Sequence, residues 1–202
     1  MARRSEPPVV TVLDDVEKCE KEAVEGLLAV PEGRPVTIVI NSGGGSVYAS
    51  LAIATVIRTR RLDATAVVLA DCSSSALLIF AACPHRRVAP HASFLFHPMR
   101  WTSEEQSRLP GARSWSAEFD RLARTYEQWL TEYLPIDVRT LRSWIRHERY
   151  VEAPQMAEMG IAELLDMPPP HNVIQIARRA APRKKETRRT AGRHSARVRR
   201  VG

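Results

Sequence analysis

The stretch 36–57, VTIVINSGGGSVYASLAIATVI, constrains this chain more than any other. Its first five residues (Val36, Thr37, Ile38, Val39, Ile40) are β-branched and mostly apolar on both faces, which suits a strand in a sheet covered on two sides. A glycine loop follows. Val47, Leu51, Ala54 and Ile57 then recur on one face of a helix expected to run to about Arg60. The unit comes again at once: ATAVVLA (64–70) reads as a strand, DCSSS as a loop, and ALLIFAAC (76–83) as an apolar helix closed by Pro84. Two strand-loop-helix units in succession predict a layered α/β fold with parallel strands. In such folds the loops at the carboxyl ends of the strands build the sites.

The rest of the chain fits around these units. VVTVL (9–13) reads as a strand, and the acid-led segment 14–30 as a helix with its acids at the positive end. RRVAP (86–90) and SFLFH (93–97) read as two short strands. Beyond a polar stretch containing Pro110 and Gly111, a long helix is expected over about 116–134. There Phe119, Leu122, Tyr126, Trp129 and Tyr133 form a narrow stripe that packs on its own domain or on a neighbouring subunit. A helix from Asp137 to about His147 and the segment APQMAEMGIAELLD complete the folded part, which PPP (168–170) ends. The expected organisation is an N-terminal extension (1–8), one domain (9–167) and a tail (168–202).

The charge is unevenly placed. Of 30 Lys and Arg and 23 Asp and Glu, residues 170–202 hold 11 and one, leaving 19 basic and 22 acidic residues in 1–169. The net +7 therefore belongs to the tail, whose like charges and missing periodicity predict disorder, with nucleic-acid contact as the binding alternative. Cys19, Cys72 and Cys83 make neither a metal-ligand spacing nor an even disulfide set, which fits a reducing compartment. No apolar run is long enough for a signal peptide or a membrane span, so the expected location is cytoplasmic. No metal or organic cofactor is implied.

The two loops carry the chemistry. SGGGS invites reading as a phosphate cradle, but no Lys follows in the Walker pattern and GxGxxG does not match, leaving a plain turn as the alternative. DCSSSALL puts serines where a buried strand meets a helix, a position that favours a developing oxyanion and is also a common helix cap. A hydroxyl needs a base to act as a nucleophile at neutral pH, and His97 ends the apolar strand SFLF.

Taken in order, VTIVINSGGGSVYASLAIATVI, VVLADCSSSALLIFAAC, RRVAPHASFLFHPM and YVEAPQMAEMGIAELLD resemble the ClpP family, the proteolytic subunit of the Clp protease, over about residues 9–167. The resemblance implies a ClpP/crotonase-like layered fold with a protruding handle helix, onto which the 119–133 stripe falls. It implies Ser74 as nucleophile, His97 as general base, and the Gly45 and Ser75 amides as an oxyanion hole for an acyl-enzyme mechanism. It also implies peptides or unfolded proteins as substrates, a homo-oligomeric ring with stacked heptamers as the form considered, and a Clp ATPase partner. Trp144 stands where the family has its catalytic aspartate. Glu148, one helical turn later, and Asp137, about two turns earlier, are the weak candidates for a third acid. The readings carried forward are a ClpP-like serine endopeptidase and a catalytically impaired structural or regulatory subunit. A crotonase-type acyl-CoA enzyme is disfavoured by the register of Ser74 and His97.

Overall fold

The computed structural model describes residues 6–100 and 109–168. The chain divides into a unit over Met1–Met167 and a second over Pro168–Gly202. The basic segment, with its expected disorder or nucleic-acid contact, lies outside the described residues.

Within the first unit the order is β1 (Val9–Val12), α1 (Val16–Ala29), β2 (Pro35–Ser42), α2 (Val47–Thr59), β3 (Asp63–Cys72), α3 (Ala76–Ala82), β4 (His85–Val88) and β5 (Ser93–Phe96). There follow α4 (Leu109–Tyr133), α5 (Val138–Arg146), β6 (Arg149–Glu152), α6 (Ala153–Glu158) and β7 (Glu163–Leu164). Strands β1, β2, β3, β4 and β7 lie side by side in that order and are parallel throughout, as expected for strands joined by helical crossovers. The ten-residue β3 reaches past its pairing with β4. Its end pairs parallel with β5, Asp71 opposite Ser93, and β5 pairs antiparallel with β6, Phe94 opposite Val151. The mixed α/β layering with a parallel sheet is thus present.

Burial follows the sequence pattern, with one difference. In β2 the residues Val36, Ile38, Ile40 and Ser42 are buried, while Thr37, Val39 and Asn41 between them are half-buried. The expected two-sided cover is therefore complete on one face and partial on the other within a single chain. All seven residues of α3 are buried, which is why that helix is apolar all round. On α4, Leu122, Tyr126 and Leu130 are buried, and Phe119, Trp129 and Tyr133 are half-buried.

Helix α4 begins at Leu109, seven residues before the expected start. Pro110 and Gly111, expected in a polar stretch before the helix, lie within its described residues. The short strands β6 and β7 have no periodicity long enough to be read from sequence.

Candidate active site

Three chain segments leave the carboxyl ends of adjoining strands: the glycine loop after β2, the serine loop after β3, and His97 after β5. Backbone bonds lock the first two together. The Ser73 N–H donates to the Ser42 carbonyl at 3.0 Å, and the Ser74 N–H donates to the Leu95 carbonyl, two residues before His97, at 2.9 Å. The buried Ser73 hydroxyl donates to Asp71 Oδ1 at 2.5 Å and accepts from the Leu95 N–H at 3.2 Å, so one side chain ties β3 to β5. Ser74 and His97 are thereby held at neighbouring strand ends.

Ser74 has φ of 56°, a left-handed conformation that costs a non-glycine residue on the order of 1 kcal/mol. The strained turn at the strand-to-helix junction leaves Ser74 half-exposed, whereas Ser73 and Ser75 on either side are buried. Among the described residues no acceptor meets the Ser75 N–H, and the Ser75 hydroxyl is buried without a partner.

The three glycines differ. Gly44 has φ of 104°, and a Cβ built on it would come within 2.6 Å of Ser74 Cβ and 2.9 Å of the Ser73 carbonyl oxygen. Only a glycine lets the two loops touch there. Both backbone groups of Gly44 are committed: its N–H donates to the Ser42 hydroxyl at 3.1 Å and its carbonyl accepts from Val16 N at 2.9 Å. Gly45, with φ of 131°, makes no such use of its N–H among the described residues. Gly43 has no positive φ, and a Cβ built on it would make only an ordinary contact with Asp71 Oδ2 at 3.7 Å.

His97 is half-exposed, and its Nδ1 lies 2.6 Å from the Pro98 carbonyl oxygen. A carbonyl can only accept, so Nδ1 carries a proton in this contact, and in the neutral ring the lone pair is then on Nε2. No hydrogen bond joins His97 to Ser74 among the described residues. His97 lines a cleft of about 130 Å³ with Tyr126, Glu127 and Ile145. A concavity of about 630 Å³ lies elsewhere, around His85, Arg87 and Glu163 at the amino ends of β4 and β7, and holds none of these groups.

The candidate acids are engaged apart from His97. Glu148 pairs with Arg100 at 2.8 Å. Asp137 caps α5, its Oδ1 accepting from the Arg139 and Thr140 N–H groups at 3.0 Å each, and hydrogen bonding from Thr140, its side chain first and then its N–H, holds the carboxyl below the ordinary range. Trp144 is buried, its ring edge-on to Phe96 with centroids 5.1 Å apart, so an indole fills space beside the strand that ends in His97. Sequence reasoning missed Tyr126 as a site neighbour: its hydroxyl donates to the Ser74 carbonyl at 3.2 Å. The available signal was that a tyrosine within an apolar stripe needs a partner for its hydroxyl.

A family model described as Clp protease matches residues 10–165. ATP-dependent Clp protease proteolytic subunit 1 of Rhodococcus jostii (strain RHA1) is 30% identical over 132 residues, 64% of this chain and 60% of that protein. ATP-dependent Clp protease proteolytic subunit 3 of Nocardia farcinica is 29% identical with the same coverage. The subunit 1 counterpart of Corynebacterium glutamicum is 27% identical over 168 residues, 80% of each chain. The match thus spans about 60% of the length of the first two relatives.

Proposed function

The chain belongs to the Clp protease family, and from that premise we propose that it is a serine endopeptidase cleaving peptides or unfolded proteins through an acyl-enzyme on Ser74. The observation that carries this reading is the left-handed Ser74 at the end of β3, half-exposed, followed by an N–H without an acceptor. In the mechanism Ser74 Oγ attacks the peptide carbonyl and its proton passes to Nε2 of His97. The N–H groups of Gly45 and Ser75 receive the oxyanion, the protonated His97 returns the proton to the leaving amine, and water hydrolyses the ester. Gly45 is favoured over Gly44 as a donor because the Gly44 N–H is already used.

His97 works here without a carboxylate on Nδ1. In well-studied serine proteases, replacing the triad acid by its amide costs about 10⁴ in turnover because the imidazole is left in the wrong tautomer. The Pro98 carbonyl holds the correct tautomer, although it supplies no negative charge to the imidazolium. The expected enzyme is slow but competent. The second reading, a subunit without activity, draws on the same site: an indole at position 144, with Glu148 and Asp137 committed elsewhere.

The half-covered second face of β2 and the half-buried Phe119, Trp129 and Tyr133 of α4 suit a homo-oligomeric ring, and a Clp ATPase is the partner class to test. Hydrolysis of a fluorogenic peptide by the assembled protein tests the activity. Turnover that falls to background in both Ser74→Ala and His97→Ala supports the peptidase; turnover retained in either variant refutes the assigned dyad, and a folded, assembled protein with none favours the inactive subunit.

A further inference from the structure

The Ser74–Ser75 peptide bond is one rigid plane with a function at each end. In a trans peptide the carbonyl of one residue and the N–H of the next are coplanar and point in opposite directions, so fixing one end aims the other. One end here is the Ser75 N–H, which has no acceptor among the described residues. The other is the Ser74 carbonyl oxygen, which accepts from the Leu77 N–H at 3.1 Å and from the Tyr126 hydroxyl at 3.2 Å. The Leu77 bond belongs to the turn that starts α3 and would form in any helix begun there. The Tyr126 bond spans 52 positions in sequence and exists only because α4 lies against the serine loop.

The geometry points to Tyr126 as a positioning residue for the oxyanion hole: its hydroxyl holds the Ser74 carbonyl, and through the peptide plane it aims the Ser75 N–H at the oxygen of the tetrahedral intermediate. The inference rests on the peptidase reading of Ser74 and adds to it a residue on a different element. Three observations bear on it. Ser74 is strained, with φ of 56°, and a strained turn persists only where its surroundings over-determine it. Tyr126 is buried, so its hydroxyl is shielded from water as a competing partner, and burial raises the phenol well above its ordinary value, which keeps it a donor across the working pH range. Tyr126 also lines the cleft that His97 lines, so the residue that bonds the nucleophile's carbonyl borders the same space as the base.

Tyr126→Phe keeps the ring and its packing and removes only the hydroxyl. Loss of a whole oxyanion donor costs on the order of 10²–10³ in turnover, and a donor that is present but less well aimed should cost about tenfold. The expected result is a kcat lowered about tenfold with KM within about twofold, together with faster amide hydrogen exchange over residues 74–78 than in the unsubstituted protein. An unchanged kcat in an active, folded preparation overturns the inference whatever exchange does. If the unsubstituted protein hydrolyses nothing, the peptidase reading fails by itself and exchange decides the contact: faster exchange in the variant supports the anchoring of the Ser74 carbonyl, and unchanged exchange overturns it.

Discussion

The loops after β2 and β3 occupy equivalent places, each leading from a parallel strand into a helix, yet the serine that opens each helix is used in opposite ways. The β2 loop commits Gly44 and Ser46 to its own fold and leaves the Gly45 N–H without an acceptor among the described residues. The Gly44 N–H and carbonyl are both bonded, and Ser46 caps α2 by accepting from the Ala49 N–H at 3.3 Å. The β3 loop bonds the Ser73 hydroxyl and the Ser74 N–H and carbonyl but leaves Ser75, at the start of α3, without a side-chain cap, and among the described residues neither its N–H nor its hydroxyl has a partner. Strain is divided in the same sense, since the β2 loop puts positive φ on glycines, where it costs little, and the β3 loop puts it on Ser74. One loop is a scaffold and the other is supported by it.

Gly44→Ala should break this relation with the largest effect. The new Cβ meets Ser74 Cβ at 2.6 Å and forces an alanine to φ of 104°, so overpacking and backbone strain together should cost about 3 kcal/mol. Denaturant unfolding should show that loss, and any surviving hydrolysis should be strongly reduced. A variant as stable as the parent would mean that the loops do not pack this closely.

A matched pair sharpens the comparison at smaller scale. Ser46→Ala removes a working N-cap and should destabilise by about 1 kcal/mol. Ser75→Ala removes a buried hydroxyl that has no partner and should be neutral or slightly stabilising, since an unsatisfied buried group carries a desolvation cost. Thermal unfolding of the two side by side reads the sign. Equal losses would show that both serines cap.

Much of this contrast was legible in the sequence because its signals are local. The β-branched run before the glycines, the second strand-loop-helix unit and the histidine closing SFLF all lie within windows short enough for periodicity to report, and the structure has elements at each. The individual roles of the glycines were not legible. Whether Gly44 or Gly45 faces the serine loop depends on a contact between segments about 30 residues apart, and spacing alone does not say which N–H is already used. The bond from Tyr126 to Ser74 and the Asp71–Ser73–Leu95 tie were hidden for the same reason. Helix over 109–115 escaped because Pro110 and Gly111 have low intrinsic helix propensity.

Covalent labelling reads whether the β3 loop presents a reactive serine. Intact-mass measurement after treatment with a fluorophosphonate probe should give a single adduct, mapped to Ser74 and absent from Ser74→Ala. No adduct on folded, assembled protein, or an adduct that survives Ser74→Ala, would contradict the account.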